Sequence, residues 1–476
     1  MSGAYDIAAF RSLIGPIKCE DNPVLVKQKS RDFYWYSPVL KRELEAVTAD
    51  IVVSPVSEAE VVVVLKAAHK LRIPVTARGA GTGNYGQAMP LTGGVLLNLI
   101  DMNKILTIGT GRVVSEPGAL IGDIDKATAA SGQELRMFPA TRATASIGGF
   151  VAGGSGGVGS ITWGGLRDFG NVLRLRVMTM EAEPRKLELT GEDLHKAVHA
   201  YGTNGVITEV EMPLAARYDW VEVIVGFDSF DAATAYALAL GEQDGILKKL
   251  VTVVAAPAPH DFFLRHRGLI PAGKSVVLMM IAPQALDAFE AFTRPYRSAQ
   301  ILLDSSKAAP ETLAGLPPIY ELTWNHTTLR ALRVDPKITY LQVRYPVNEP
   351  LPAIKRIHDR YGAEVTGHLE LIRFNGRNVF SGLPLVRFSS EERLDEIIAE
   401  HLAMGAMIFN PHRYTLEEGG MKQTDATQLA FKRETDPQGL LNPGKMIAWE
   451  DPNFDFSAGK NFLFPGLEAR ALAAQM

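Results

Sequence analysis

The sequence predicts an α+β protein, whose first half mixes strands with helices and whose second half is built on an antiparallel sheet. Two observations lead to this class. Short apolar strand patterns alternate with amphipathic helices up to about residue 217. Beyond Trp220 the strand patterns become longer, and a similar strand–helix–strand order occurs twice in succession. We therefore expect the second half to carry an antiparallel sheet with helices on one face.

The composition is that of an ordinary globular protein and excludes several classes. The chain has 476 residues, 46% of them apolar and 21% charged, which suits two or three domains. Its net charge of −4 argues against a general nucleic-acid surface, because such surfaces carry a basic excess. A single cysteine, Cys19, excludes an internal disulfide and a cysteine-ligated cluster. No apolar run approaches the roughly 18 residues of a membrane span, and no signal peptide is recognised, so a cytoplasmic location is expected.

Capping and turn residues divide the first half into elements. Ser57 and Glu60 form a capping-box pattern for a helix that ends before Pro74, and Gly132 ends a second helix. The predicted elements, in order, are strand 51–53, helix 57–71, strands 73–77, 95–99 and 112–116, helix 120–131 and a strand near 172–180.

The second half predicts two similar units joined by a Pro/Ala-rich stretch. The first unit comprises strand 219–227, helix 231–243, strands near 250–255 and 275–281, and a helix near 284–296. The second comprises strand 338–346, helix 351–362, strands 365–374 and 383–388, and helix 390–405. We expect a first domain at 1–218 with its core at 45–217, a second domain at 219–430, and a segment at 431–476 that returns to the first domain.

Two glycine-rich segments indicate function most directly. The first runs from Arg78 to Gly86, and the second from Ile147 to Gly159. Glycine lacks a Cβ, so backbone amides can approach an anion closely and φ can become positive at little cost. Two such segments in one half of the chain predict a large phosphate-bearing cofactor that is held from two sides.

A Rossmann dinucleotide site is a weaker interpretation of the first segment. Gly81, Gly83 and Gly86 match the GxGxxG pattern, but that mechanism needs a helix after the last glycine to hold the pyrophosphate. Pro90 and the pair at 93–94 stand there instead. A turn that binds no ligand is the other alternative, and the second glycine-rich segment makes it less favourable.

The ordered set of motifs resembles the FAD-binding oxidoreductases of the vanillyl-alcohol oxidase type, which share the PCMH-type flavin domain. The similarity covers roughly 45–215 and 436–446. Each motif is weak alone, whereas their order is specific. The stretches that carry it are SPVSEAEVVVVLKAAHKLRIPVTARGAGTG, GGVLLNLIDMNKIL, VVSEPGALIGDI, SIGGFVAGGSGG, GTNGVITEVEMPL and LLNPGK.

The resemblance implies a flavin domain of two α/β subdomains that hold an extended FAD, covered by an α+β cap domain. The residues expected to contact FAD are Arg78, Gly79, Ala80, Gly81, Thr82, Gly83, Gly86, Pro139, Thr141, Ser146, Gly148, Gly149, Gly153, Ser155, Gly156, Val206, Ile207 and Asn442. Many relatives bond the flavin to a histidine of the first loop. Thr82 or Gly83 stands at that position here, so noncovalent FAD is predicted.

Three clusters in the second half carry side chains that suit a hydride-transfer oxidation, which needs an acceptor for the substrate proton. They are Trp324-Asn325-His326, His368-x-Glu370-x-x-Arg373, and His412-Arg413-Tyr414 with Glu417. The last cluster ranks first, because it precedes the segment that in the family brings side chains over the flavin. His326 and Arg373 are the further catalytic candidates. Strand periodicity places His368 and Glu370 on one face and Arg373 on the other.

No metal site is predicted. The D-2-hydroxy-acid dehydrogenase branch of the family usually has paired histidines and a glutamate that bind a divalent metal, but the stretch after His368 lacks the second histidine. A D-lactate or glycolate substrate is correspondingly less favoured. An aromatic or longer-chain alcohol suits the apolar residues at least as well, namely Trp324, Tyr320, Tyr340, Tyr345 and Phe380.

The sequence thus predicts an FAD-dependent oxidase or dehydrogenase of a small alcohol, hydroxy acid or phenol. Oxygen, a quinone or an electron-transfer protein would accept the electrons. One alternative is the flavin subunit of a larger dehydrogenase with an iron–sulfur partner, and another is a non-redox member of the fold. No nucleic-acid partner is expected, and a homodimer is left open.

Overall fold

The first sheet has a parallel core with an antiparallel edge strand. The computed structural model describes residues 5–154, 156–420 and 426–455. In the order β1-β2-β4-β3, strand β4 is parallel to both β2 and β3, while β1 is antiparallel to β2. These elements are α1 (Ile7–Ile14), β1 (Cys19–Glu20), α2 (Pro23–Lys29), α3 (Pro38–Leu44), β2 (Ile51–Val53), α4 (Glu58–Leu71), β3 (Val75–Arg78) and β4 (Val95–Asn98).

The start of α4 shows how local sequence sets a boundary. Ser57 Oγ accepts a hydrogen bond from the backbone N–H of Glu60 at 3.3 Å, as a capping residue should. The Glu60 carboxylate accepts from the N–H of Val56 at 2.8 Å, one residue before the position that a full capping box would use. The predicted helix is therefore confirmed, with a modified cap.

The second sheet is antiparallel and follows directly in the chain. Its order is β5-β6-β10-β8-β9, and β7 pairs with the end of the long strand β10. Its elements are β5 (Ile105–Gly109), β6 (Arg112–Ser115), α5 (Ile121–Ala129), β7 (Gln133–Leu135), α6 (Ile147–Gly153), α7 (Ser160–Trp163), β8 (Arg174–Met178), β9 (Lys186–Thr190) and β10 (Val206–Ala216).

The second half forms an eight-stranded antiparallel sheet with its helices, called the cap below. Its order is β14-β11-β13-β12-β18-β19-β16-β21, and β15-β20-β17 form a smaller sheet beside it. The strands are β11 (Val221–Phe227), β12 (Lys248–Val254), β13 (Ser275–Ile281), β14 (Gln300–Asp304), β15 (Ile338–Tyr340), β16 (Val343–Arg344), β17 (Val365–Thr366), β18 (His368–Phe374), β19 (Arg377–Gly382), β20 (Leu385–Arg387) and β21 (Met407–Ile408). The cap helices are α8 (Phe230–Gly241), α9 (Ala258–Phe262), α10 (Leu286–Thr293), α11 (Pro310–Leu313), α12 (Asn325–Leu332), α13 (Pro350–Tyr361) and α14 (Glu391–Ala403). Two further helices follow, α15 (Ala426–Thr435) and α16 (Ile447–Glu450), and α15 contacts the turn before β10. This architecture confirms the predicted α+β class.

The large cap sheet is buried on both faces. In β13, Val277 and Met279 belong to the core shared with α8 and α13. The alternate residues Val276 and Leu278 belong to the core shared with the second sheet and α5. Because side chains alternate along a strand, one face of the sheet packs on its helices and the other on the first half of the chain. The cap therefore rests on the elements that carry the glycine-rich segments.

Three features differ from the sequence predictions. The predicted strand 365–374 forms β17 and β18, which belong to different sheets. The predicted strand 338–346 forms two strands, β15 and β16, in different sheets. The strand ends before Leu341, whose N–H donates to Pro384 O at 3.2 Å. The second glycine-rich segment contains a helix, α6, where only irregular backbone was expected. Strand β3 runs into the first glycine-rich segment, and no helix follows Gly86, so the Rossmann interpretation is excluded. Among the residues that the structure describes, no helix has the length and apolar character required to cross a membrane.

Candidate active site

A large cavity lies between the two glycine-rich segments and the cap. Space not filled by protein atoms, including the open mouth, amounts to about 1520 Å³. It is lined by residues of the loop after β3, of α6 and its flanks, of the turn before β10, and of the start of α12. Both glycine-rich segments and the cap thus contribute to the lining of one cavity, the kind of concave site in which cofactors and small ligands bind.

Arg78 stabilises the first glycine-rich segment, which forms one side of the cavity. Its guanidinium donates to the carbonyl oxygens of Gly79 at 3.0 Å, Ala80 at 3.2 Å and Arg31 at 3.3 Å. Burial lowers the pKa of Arg78, and the carboxylate of Asp32 opposes that shift. Two nitrogens of the guanidinium, Nη1 and Nη2, thus engage backbone carbonyls of this loop and of Arg31.

Three backbone N–H groups of the first glycine-rich segment are available to bind a ligand. The backbone N–H groups of Gly81, Thr82 and Gly83 have no acceptor among the described residues, whereas the carbonyl of Gly83 accepts from Phe33 N at 2.6 Å. Gly81 has φ +68°, which favours glycine. Successive unpaired amides in such a turn form an anion-binding nest. The loop therefore fits the pyrophosphate of a dinucleotide cofactor.

The two glycine-rich segments touch each other at Ser146. Its Oγ accepts from the N–H of Ala80 at 3.1 Å. A Cβ on Gly79 would lie 2.1 Å from that oxygen and 3.6 Å from Cα of Gly149. Glycine at these positions lets α6 pass close to the first loop. The second segment thus contributes a helix rather than a loop to the cavity wall.

Gly148 offers a test of this close approach. A Cβ there would lie 2.5 Å from Cβ and 2.9 Å from the carbonyl oxygen of Pro117. We expect Gly148→Ala to lower the free energy of unfolding by about 1–3 kcal/mol and to weaken FAD retention, since the backbone must shift. Chemical denaturation and the flavin-to-protein absorbance ratio measure both effects. Gly245→Ala is the control, because Gly245 does not line the cavity and a Cβ there would meet nothing within 4 Å. Equal behaviour of the two variants would contradict the prediction.

The turn before β10 closes the wall behind α6. The N–H of His199 donates to Val151 O at 3.0 Å, and that of Tyr201 donates to Ala152 O at 2.9 Å. Asn442 lies outside this wall, where its amide donates to Tyr201 O at 2.6 Å and to Gln87 O at 2.8 Å. Asn442 thus supports two lining segments without lining the cavity itself.

The cap side of the cavity is formed by Trp324, Asn325 and His326 at the start of α12. Trp324 Nε1, Asn325 Nδ2 and His326 Nδ1 are buried without a hydrogen-bond partner among the described residues. Burial, with smaller contributions from Arg330 and Arg333, lowers the pKa of His326 to about 4. His326 is therefore neutral at physiological pH and able to accept a proton.

The predicted FAD contacts fall into three groups. Those that line the cavity are Arg78, Gly79, Ala80, Gly81, Thr82, Gly83, Pro139, Thr141, Ser146, Gly148, Gly149, Gly153, Gly156 and Ile207. Three do not line it, namely Gly86, Val206 and Asn442. Ser155 lies outside the described residues.

The catalytic candidates are separated by the fold, and only His326 lines the cavity. His412 is fully buried between Ser37 Oγ at 2.7 Å and the carbonyl of Tyr340 at 3.0 Å. The position of His412 therefore does not support residues 412–414 as the first-ranked catalytic candidates. His412 packs against Ser37 in the N-terminal segment, and the order of residues in the sequence does not reveal this contact.

The remaining candidates make contacts elsewhere. Arg373 pairs with Asp244 at 2.6 Å in a separate surface depression. Arg413 lies 3.7 Å from the carboxylate of Glu391. The ring of Tyr414 packs under Lys445 Nζ at 4.8 Å.

Several residues that line the cavity were not predicted from the sequence. Tyr85 donates from its hydroxyl to Gln342 Oε1 at 2.5 Å, which joins the first loop to the cap. His199 and Tyr201 line the cavity with positive φ angles of 57° and 52°. No spacing pattern marks these residues, because each reaches the cavity through a turn or a strand break.

Buried histidines predict acid sensitivity. Burial lowers the pKa of both His199 and His412 to about 3. Between that value and the unfolded value of about 6.5, the unfolded chain binds protons that the folded chain does not, so stability falls as pH decreases. We expect a loss of up to about 1.4 kcal/mol per pH unit for each group. Burial raises the pKa of Asp32 to about 6, and this single group acts in the opposite direction.

Chemical denaturation at pH 7.5 and at pH 5 measures this acid sensitivity. His412→Gln keeps a polar side chain and should reduce the difference between the two pH values. A stability that does not change from pH 7.5 to 5 would contradict the assignment.

Comparison with known proteins identifies the class. A family model described as an FAD binding domain matches residues 49–188. Glycolate oxidase subunit GlcD of Escherichia coli is 34% identical over 431 residues, which cover 83% of each chain. An FAD-linked oxidoreductase of Mycobacterium tuberculosis is 35% identical over 207 residues, so the match spans 41% of this chain and 44% of that relative. The solved structure of 4-ethylphenol oxidase from Gulosibacter chungangensis has a TM-score of 0.67 at 19% identity and covers 92% of this chain and 96% of its own.

Fold, cavity, unpaired loop amides and the matched family model together define a flavoprotein with an FAD-binding domain of the PCMH type. More particularly, the chain belongs to the family of FAD-linked oxidoreductases that includes the glycolate oxidase subunit GlcD. FAD is its cofactor.

Proposed function

We propose that this protein oxidises the CH–OH carbon of a small hydroxy acid or alcohol, with His326 as the group that accepts the hydroxyl proton. Bound FAD supplies the hydride acceptor. The observation that carries the proposal is the set of unpartnered side-chain nitrogens at the start of α12, which line the cavity opposite the glycine-rich segments. Buried polar atoms without partners are costly, so these nitrogens are expected to meet a ligand.

The three side chains take different roles. Neutral His326 accepts the hydroxyl proton as the carbinol carbon loses its hydride. Asn325 Nδ2 and Trp324 Nε1 can only donate, so they suit a substrate oxygen and orient the carbinol carbon. Tyr85 keeps its phenolic proton, because burial raises its pKa well above the ordinary value. The described residues that line the cap side carry no formal charge at neutral pH.

Two substrate classes are supported by different observations. The similarity to a glycolate oxidase subunit supports a short 2-hydroxy acid. The described lining of the cap side is uncharged, consisting of Trp324, Asn325, His326 and Gln342, and this supports an alcohol or phenol. A carboxylate usually requires an arginine partner, and the guanidinium of Arg78 is engaged by carbonyls.

Anaerobic flavin reduction distinguishes the two classes. The holoenzyme is mixed under nitrogen with glycolate, both lactate enantiomers, 2-hydroxyglutarate, benzyl alcohol and 4-ethylphenol, and bleaching of the flavin band is followed. Bleaching by the acids alone supports a hydroxy-acid oxidase or dehydrogenase, and bleaching by the neutral compounds alone supports an alcohol or phenol enzyme. A flavin that none of a wider panel reduces would support a non-redox role. Subsequent admission of air shows whether oxygen accepts the electrons.

The flavin is proposed to be noncovalent. The first loop carries Thr82 and Gly83 where a linking histidine would stand, and the histidines that line the cavity come from other segments. Acid precipitation should leave a colourless pellet and a yellow supernatant. A yellow pellet would refute noncovalent binding.

A role as the flavin subunit of a larger dehydrogenase is the second candidate. It is favoured by the name of the GlcD relative, which is itself a subunit. One cysteine in the chain means that iron–sulfur clusters would have to reside on another protein. Purification from its native source in complex with a cysteine-rich protein would support this candidate, and full activity of the isolated chain with oxygen would argue against it.

A further inference from the structure

Trp324 adopts a backbone conformation that its side chain disfavours. Its φ is 51° and its ψ is −143°. This region is populated almost only by glycine, and other residues persist there only when their surroundings hold them. Trp324 immediately precedes α12, which begins with Asn325 and His326. The conformation therefore determines the direction in which these two residues enter the cavity.

A buried carboxylate holds Trp324 in this conformation. Glu370 Oε1 accepts a short hydrogen bond from the N–H of Trp324, at 2.6 Å. Glu370 is 1% exposed and its other oxygen, Oε2, accepts from Thr252 Oγ at 2.5 Å. The side chain is thus fixed by β12 on one side and fixes Trp324 on the other.

His368 contacts Glu370 and also the first turn of α12. Its Nε2 lies 2.8 Å from Glu370 Oε1, and its Nδ1 lies 3.1 Å from the carbonyl of Leu383. Both ring nitrogens face oxygen atoms, so the contacts of His368 hold Glu370 Oε1 beside the backbone of β18 and the segment before β20. Thr327 Oγ in the first turn of α12 lies 3.2 Å from His368 Nε2. The pair therefore contacts the chain on both sides of Asn325 and His326.

We propose that Glu370, supported by His368, is a positioning residue that fixes Trp324 and thereby directs Asn325 and His326 toward the reacting carbon. The proposal rests on the proposed function for its catalytic consequence, but not for its structural part. Glu370 itself does not line the cavity. Its effect on catalysis passes through the backbone of Trp324.

Two variants of Glu370 separate its contributions. Glu370→Ala removes the acceptor of the Trp324 N–H, and we expect turnover to fall about 100-fold, as for a displacement of about 1 Å in a catalytic group. Glu370→Gln keeps an oxygen that can accept from Trp324, and it should recover most of that loss. FAD content should stay at the wild-type level in both, because the glycine-rich segments are unchanged.

Glu222 provides the matched control. It is another carboxylate of the cap that accepts a backbone N–H from the segment before α12, that of Ile319 at 3.0 Å. Glu222→Ala should cost stability in a similar way without changing turnover. A loss of turnover that is equal in Glu222→Ala and Glu370→Ala would show a merely structural role for Glu370 and would overturn the proposal.

A readout without substrate keeps this test independent of the proposed function. The imidazole of His326 is followed by NMR pH titration of the FAD-loaded protein and assigned by its absence in His326→Asn. Arg330 and Arg333 bear on this ring in every variant, so their influence is constant. In Glu370→Ala the titration midpoint should move upward from about 4 toward the solvent value as the ring loses its buried position. An unchanged midpoint in a folded Glu370→Ala protein would overturn the positioning role, whereas normal turnover of His326→Ala would overturn only the proposed function.

Discussion

Replacing His326 with alanine is expected to lower kcat by a factor of about 10²–10⁴ while FAD content remains unchanged, because a positioned base contributes roughly that much. The prediction follows from the placement of His326 at the cavity and from its neutral state, since burial lowers its pKa to about 4. In the wild-type protein, kcat/KM should be level near neutral pH and should fall as the pH approaches 4, where the ring becomes protonated and can no longer accept. Steady-state kinetics with a substrate found by flavin bleaching measures both effects.

A second buried histidine of the cap provides the control for this experiment. His266 is 1% exposed, and burial with a contribution from Arg330 lowers its pKa to about 4, as for His326. It does not line the cavity. His266→Ala should therefore reduce stability and leave kcat close to the wild-type value. If His326→Ala turned over as fast as His266→Ala, the assignment of the base would be wrong.

Replacing Lys432 with methionine is expected to lower the free energy of unfolding by about 3–5 kcal/mol, the usual cost of leaving one member of a buried ion pair without its partner. Lys432 Nζ lies 2.7 Å from Asp436 Oδ2, and the side chains are 2% and 0% exposed. The ammonium also donates to Thr203 O at 3.0 Å and to Leu441 O at 3.2 Å. These contacts join α15 to the turn that lines the cavity and to the segment that follows α15. Chemical denaturation of the FAD-loaded protein measures the loss.

Two further variants make the test of this ion pair specific. Lys432→Met combined with Asp436→Asn removes the unpaired charge. The N–H groups of Leu440 and Leu441 donate to different oxygens of Asp436, and the single amide oxygen of asparagine keeps one of these two bonds. This double variant should be more stable than Lys432→Met alone. Lys355→Met breaks a pair with the same spacing, Lys355–Asp359, in which both side chains are 55% exposed, and should change stability little. Similar effects of Lys355→Met and Lys432→Met would contradict the prediction.

Much of the fold could be predicted because its elements carry local patterns. The strand at 221–227 and the helix at 350–361 lie within two residues of their predicted bounds, since apolar periodicity and the flanking turn residues mark them. The division of 338–346 between two sheets could not be predicted, because Leu341 is redirected by Pro384, which is distant in sequence. Helix α6 was missed for a related reason. Its glycines have low helix propensity, and its packing against Pro117 and the first loop compensates for that.

The candidate site was predictable only in part. The residues at 78–83 could be found because the cofactor-facing feature is the backbone itself, and glycine spacing records it directly in the sequence. The proton acceptor could not be ranked in the same way. His326 and His412 look alike in sequence, but one lines the cavity and the other packs against Ser37.

The sequence by itself determined the α+β class and a site for a phosphate-bearing cofactor in the first half, because glycine conformation and short-range periodicity are local properties of the chain. That this cofactor is FAD was implied by the resemblance of the ordered motifs to a known family. Only the tertiary structure decided which cap residues meet the cofactor site. That choice depends on long-range contacts, such as the bond between Trp324 and Glu370 across 46 positions, which hold a strained backbone in place. Strain of this kind is stable only within the assembled fold, and no local pattern of residues records it.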